Sequence, residues 1–178
     1  LVLPPTVLGF YLLIMLSPES AVGSFWVELT GDSLTFSFSG LVIASIIYSL
    51  PFMVQPLQAA FRVVPESVLE AVATLGASPR DRWLNVVLPM AKRGYLTGCV
   101  MTFAHTVGEF GVVLMMGGNI PGETRVLSIA IYEHVETLNY DAAHMLALGL
   151  LCFSFLSLWL VYRLAGHRFE VVRGLAIS

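Results

Sequence analysis

One carboxylate in this chain stands where a charge is costly. Glu109 sits in Gly108-Glu109-Phe110-Gly111, inside an apolar stretch from residue 96 to residue 116. An unpaired carboxylate held away from water is expensive, so such a residue needs a partner. His105 precedes it by four residues, which on a helix sets both side chains on one face. A hydrogen bond or ion pair between them would lower the cost of burying both. Two roles suit the pair: a polar clamp between helices, or the lining or gate of a pathway. Glu109 is a poor direct ligand for another anion, because like charges repel.

Other residue groupings carry less chemistry. His134 and His144 lie ten positions apart, with Glu133, Glu136 and Asp141 nearby. They lack the H-E-x-x-H spacing of a metal site and read as solvated loop residues. Cys99 and Cys152 both fall in apolar runs, where cysteine is usually a small buried hydrophobe. No G-x-x-x-x-G-K-[ST] loop occurs, so this chain is not itself an ATPase. No G-x-S-x-G nucleophile turn occurs either. No catalytic residue, metal site or cofactor is expected.

The richest pattern lies at residues 65–89. Pro65 suits the first position of a helix, where its missing N–H costs nothing. Val68, Leu69, Val72, Ala73 and Leu75 then recur at helical spacing. Gly76 is placed to end that helix in a left-handed conformation. Ser78 can cap a second helix, with Pro79 first in it and Asp81 completing an S-x-x-D box. Pro89 is expected to stop that helix. Two short helices at a sharp angle make a knob suited to docking a partner.

Elements that must hold these groups follow from composition. The 178 residues are 57% hydrophobic and 12% charged, with a mean hydropathy of +0.82. Soluble domains carry about 25% charged residues. The expected class is therefore an all-α, polytopic membrane protein forming a single transmembrane domain. Apolar segments near 1–16, 41–57, 96–116 and 142–164 are its expected spans. The first is too short for a full span, since about 20 residues are needed. It has neither an initiator Met nor a basic leader, and the chain reads as N-terminally truncated.

Basic residues orient these spans. Arg62, Arg80, Arg82, Lys92 and Arg93 gather around the segment between spans two and three, and Arg163, Arg168 and Arg173 follow span four. The opposite side holds only Arg125, among Glu19, Glu28, Asp32, Glu123, Glu133, Glu136 and Asp141. The positive-inside rule places the knob and the C-terminus in the cytoplasm.

The knob resembles the EAA loop of ABC importer permeases: E-A-A, three residues, G, nine residues, I-x-L-P. Glu70, Ala71, Gly76, Leu88 and Pro89 match it, while Val72 and Val86 are mild departures. Gly108-Glu109-Phe110-Gly111, followed by Asn119-Ile120-Pro121-Gly122-Glu123-Thr124-Arg125, is similar to the molybdate or tungstate branch of those permeases. So is the opening Leu1-Val2-Leu3-Pro4-Pro5-Thr6-Val7-Leu8-Gly9, which looks like that family's second span. His105 departs from the pattern, where arginine is expected.

The resemblance implies a multi-pass protein of the bacterial inner membrane, working as a homodimer surrounded by lipid. It implies an ATP-binding subunit on the cytoplasmic knob and a periplasmic oxyanion-binding protein outside, facing Asn119 and Arg125. It implies no nucleic-acid partner. A sulfate or thiosulfate permease is the alternative within the class. A membrane-embedded enzyme using His105 and Glu109 is the alternative outside it.

Overall fold

The computed structural model describes residues 4–165. Leu1, Val2 and Leu3 of the opening motif, Arg168, Arg173 and the C-terminus lie outside the described residues.

Every regular element among the described residues is helical. In order they are α1 (Pro5–Met15), α2 (Ala21–Thr30), α3 (Phe38–Arg62), α4 (Glu66–Thr74), α5 (Pro79–Arg82), a π-helical turn (Trp83–Val87), α6 (Leu88–Gly108), α7 (Gly111–Gly117), α8 (Leu127–Glu136) and α9 (Tyr140–Ala165). Helices dominate because lipid offers no hydrogen bonds to the backbone, so each segment must satisfy its own. α3, and α9 over Tyr140–Leu160, are each long and apolar enough to cross a membrane. α1 has 11 residues. α2 and α8 fall between the expected spans. His134 therefore lies on α8 and His144 on α9, and not together in one loop.

Two compact units make up the chain. Among the described residues, one comprises those up to Leu50 with Ala104–Phe153, the other Pro51–Phe103 with those from Ser154 onward. In the first unit α1 packs along α7. Leu12, Leu16, Leu34, Leu41, Val112, Met116 and Ile129 form its core. Where these helices lie in lipid, that packing stabilises through van der Waals contact and not through exclusion of water. In the second unit α6 lies against α3, with Gly94 facing Ala60 and Pro56, and Gly98 facing Met53.

Two expectations about helix ends need correction. Pro89 does not stop a helix: α5, the π turn and α6 run on as one helix, Pro79–Gly108. A proline ring normally collides with the carbonyl four residues back. Here the turn just before it is wider, with the Leu88 N–H donating to the Trp83 carbonyl five residues earlier. Such π turns relieve this kind of strain within α-helices. The second part of the knob is thus the head of a long helix.

The stretch from 96 to 116 is not one helix either. α6 ends at Gly108, α7 begins at Gly111, and the chain bends by 61° at the break. Phe110 leaves helical geometry at φ -125° and ψ -52°. The apolar composition reads through this break because hydropathy does not register backbone conformation.

Candidate functional site

The break exposes what Glu109 does. Its carboxylate is buried, and Oε1 accepts a hydrogen bond from the Val112 N–H at 3.0 Å. That N–H belongs to the first turn of α7, where intrahelical acceptors are missing. Glu109 therefore caps the helix that follows it. Its own carbonyl accepts a hydrogen bond from the Ser128 hydroxyl on α8. The Phe110 ring stacks on Tyr132 with 5.1 Å between centroids. Side chains from α8 thus hold both residues of the break.

His105 is near Glu109 but is not hydrogen-bonded to it. Nε2 and Oε2 are 3.9 Å apart, beyond hydrogen-bond range. Glu109 has left the helix, yet the two side chains stay within ion-pair distance of each other. His105 pairs elsewhere: Nδ1 lies 3.1 Å from the Ser49 hydroxyl. Ser49 in turn lies 2.8 Å from the Thr106 hydroxyl, and Tyr48 stacks on the imidazole at 5.0 Å. A polar chain thus joins α3 to the last turn of α6 and reaches the break. Sequence reasoning missed Ser49, Thr106 and Ser128. The available signal was weak: hydroxyls in apolar runs are common and point to no partner.

The turn at residues 75–78 is built as its local sequence dictates. Gly76 has φ +83°, a conformation that costs other residues about 1–2 kcal/mol. The Ser78 hydroxyl accepts from the Asp81 N–H at 3.2 Å, and the Asp81 carboxylate accepts from the Ser78 N–H at 3.3 Å. The capping box is complete. Pro65 stands one place earlier than expected, as the residue before α4. Glu70, Ala71 and Gly76 are exposed, and α4 buries none of its residues. Leu75 is 85% exposed. Val68, Leu69 and Val72 of the same helix are half-buried, so one side of α4 is partly covered and the other is open. Leu88 and Pro89 lie apart from this turn, at the start of α6.

Asn119 and Arg125 are tied together. The Arg125 Nε donates to the Asn119 Oδ1 at 2.9 Å, and its guanidinium reaches the Glu133 carboxylate on α8 at 3.1 Å. Buried Thr124 fastens the same loop, donating to the Gly117 carbonyl at 2.6 Å and accepting from the Ile120 N–H at 2.9 Å. Arg125 is thus a partnered charge and a brace for the loop. The sequence marks Glu133 only as one of several nearby acids and not as the partner of Arg125.

Two membrane-length apolar helices and a helix pair bent at Glu109 and Phe110 define a helical membrane protein. Residues 1–168 match the family described as binding-protein-dependent transport system inner membrane component, and the chain belongs to that family. It is 53% identical over 170 residues to the molybdenum transport system permease protein ModB of Azotobacter vinelandii, covering 96% of this chain and 74% of that protein. It is 35% identical over 137 residues to the ModB of Escherichia coli K12, covering 77% of this chain and 60% of that protein. A probable sulfate transport system permease protein, cysT of Chlorella vulgaris, is 30% identical over 169 residues, covering 95% of this chain and 63% of that protein.

Proposed function

We propose that this chain is the membrane-spanning part of an ATP-driven importer of molybdate, or tungstate, across the inner membrane. The observation that carries this reading is the likeness to a molybdenum permease, at 53% identity over 96% of the chain. Likeness to the sulfate relative is lower, at 30%. In this reading the chain does no covalent chemistry. A separate ATP-binding subunit docks on the exposed segment carrying Glu70, Ala71 and Gly76, with Leu88 and Pro89 passing its movement into α6. A binding protein delivers the oxyanion from outside and meets the loop braced by Asn119 and Arg125, and a second copy completes the pathway. The cluster of Arg62, Arg80, Arg82, Lys92 and Arg93 supports a cytoplasmic position for the docking segment.

Specificity belongs to the binding protein, where a closed pocket can fix hydrogen-bond geometry. The test must therefore use the whole system. The complex with its own ATPase and binding protein, reconstituted in vesicles, is expected to import radiolabelled molybdate in preference to sulfate. Equal import of the two anions would overturn the assignment.

Gly76→Val tests the docking segment. A β-carbon at Gly76 meets nothing within 4 Å beyond its own and the adjacent residues, so the penalty is local to the turn. The cost is backbone strain of about 1–2 kcal/mol, a factor of roughly 5–30 against the native turn. Insertion should be normal, while ATP-coupled uptake falls by that order. Gly76→Asn should retain more uptake, because asparagine tolerates this conformation. Unchanged uptake in the valine variant would detach the turn from coupling.

A further inference from the structure

A cavity of about 630 Å³ opens beside the end of α3. Ala60, Val64, Val86 and Met90 supply apolar walls, and Asn85, Lys92 and Arg93 also line it. No acidic side chain is among the lining residues. Both cations are exposed, and neither forms an ion pair among the described residues. Arg62, in the last turn of α3, adds a third positive charge at the same end of that helix. α3 is long enough to cross the bilayer, so its end lies where headgroups meet acyl chains.

We infer that this cavity binds an anionic phospholipid. The phosphate meets Lys92 and Arg93, and an acyl chain runs along Val64, Val86 and Met90. Charge complementarity and depth select this occupant. Basic pockets between membrane helices attract anionic headgroups in this way. A free inorganic anion gains nothing from apolar walls, since they offer it no hydrogen bonds. A zwitterionic lipid gains the walls but not the charges.

The experiment uses the purified transport complex in nanodiscs of phosphatidylcholine with and without phosphatidylglycerol. Lipids retained after detergent extraction are counted by native mass spectrometry, and thermal midpoints are compared. The native complex is expected to retain phosphatidylglycerol and to melt higher in its presence. Each lost cation should weaken retention about fivefold, so Lys92→Gln with Arg93→Gln weakens it about twenty-five-fold. Exchanging the cations, Lys92→Arg with Arg93→Lys, should keep retention. Met90→Trp, which fills the cavity without changing charge, should abolish it. Undiminished retention in the glutamine pair would overturn the site. Equal stabilisation by inorganic phosphate would also overturn it, showing a soluble-anion site instead. Retention only in complexes stripped of the ATPase would overturn it too, because the partner would then fill the cavity.

Discussion

Gly94→Ala is expected to destabilise the chain more than any other single methyl group added to α6. A β-carbon built at Gly94 would lie 2.3 Å from the Ala60 β-carbon and 2.9 Å from the Pro56 carbonyl oxygen. Carbon atoms rest at about 3.5–4.0 Å, so α3 and α6 must separate by more than 1 Å. Neither obstacle can swing aside, since one is backbone and the other is fixed to it. Overpacking of this kind costs typically about 1–3 kcal/mol, occasionally more. In lipid the loss is not offset, because close contact between small residues is itself what holds helices together.

Gly98→Ala should be milder. Its nearest obstacle is the Met53 sulfur at 2.7 Å, at the end of a flexible side chain. Gly149→Ala is the control: nothing lies within 4 Å of that position on α9, and replacing a helical glycine should be neutral or stabilising. Thermal melting of the detergent-solubilised complex, read beside the amount inserted in the membrane, should rank the three in that order. A Gly94→Ala protein melting with the native one would show that α3 and α6 do not pack as described.

Glu109→Ala should produce the second large effect, through the helix that follows. The substitution strips the Val112 N–H of its side-chain acceptor in a buried setting. Losing a cap costs about 0.5–2 kcal/mol, and leaving a buried donor unsatisfied about 1–3 kcal/mol. These describe one lost interaction and are not summed. Glu109→Gln separates capping from charge, because the amide oxygen can still accept from Val112. Stability close to native in the glutamine variant, with a loss of about 1–3 kcal/mol in the alanine variant, is the expected pattern. Equal losses in both would assign the effect to the charge and return His105 to prominence. A double-mutant cycle with His105 should give only weak coupling, about 0.6 kcal/mol or less, given the 3.9 Å separation.

The same residues show how far the sequence reaches. The helical class and the membrane setting follow from composition, because a backbone in lipid has few ways to satisfy itself. Gly76 and the Ser78–Asp81 box are legible because their interactions close within three or four residues. A local bond needs no knowledge of the fold, and both occur at the expected places. Pro89 is also local, yet it misleads: the proline rule assumes an α-helical turn before it, and the π turn at Trp83–Val87 removes that premise.

Glu109 marks the boundary between the two kinds of knowledge. Its type and apolar surroundings announce a partner but not which one. The i,i+4 spacing still brings His105 to 3.9 Å, but the helix ends at Gly108 and the hydrogen bond goes to Val112 instead. The residues of the break are met by Ser128 and Tyr132 from α8, 19 and 22 residues further along. His105 likewise finds Ser49, 56 residues away, and Arg125 finds Glu133 across the turn into α8. A hydrogen-bonding group in lipid takes whichever partner packing brings within about 3 Å. The sequence alone determined that these polar groups must be satisfied. Only the tertiary structure, by fixing which helices lie side by side, decided by what.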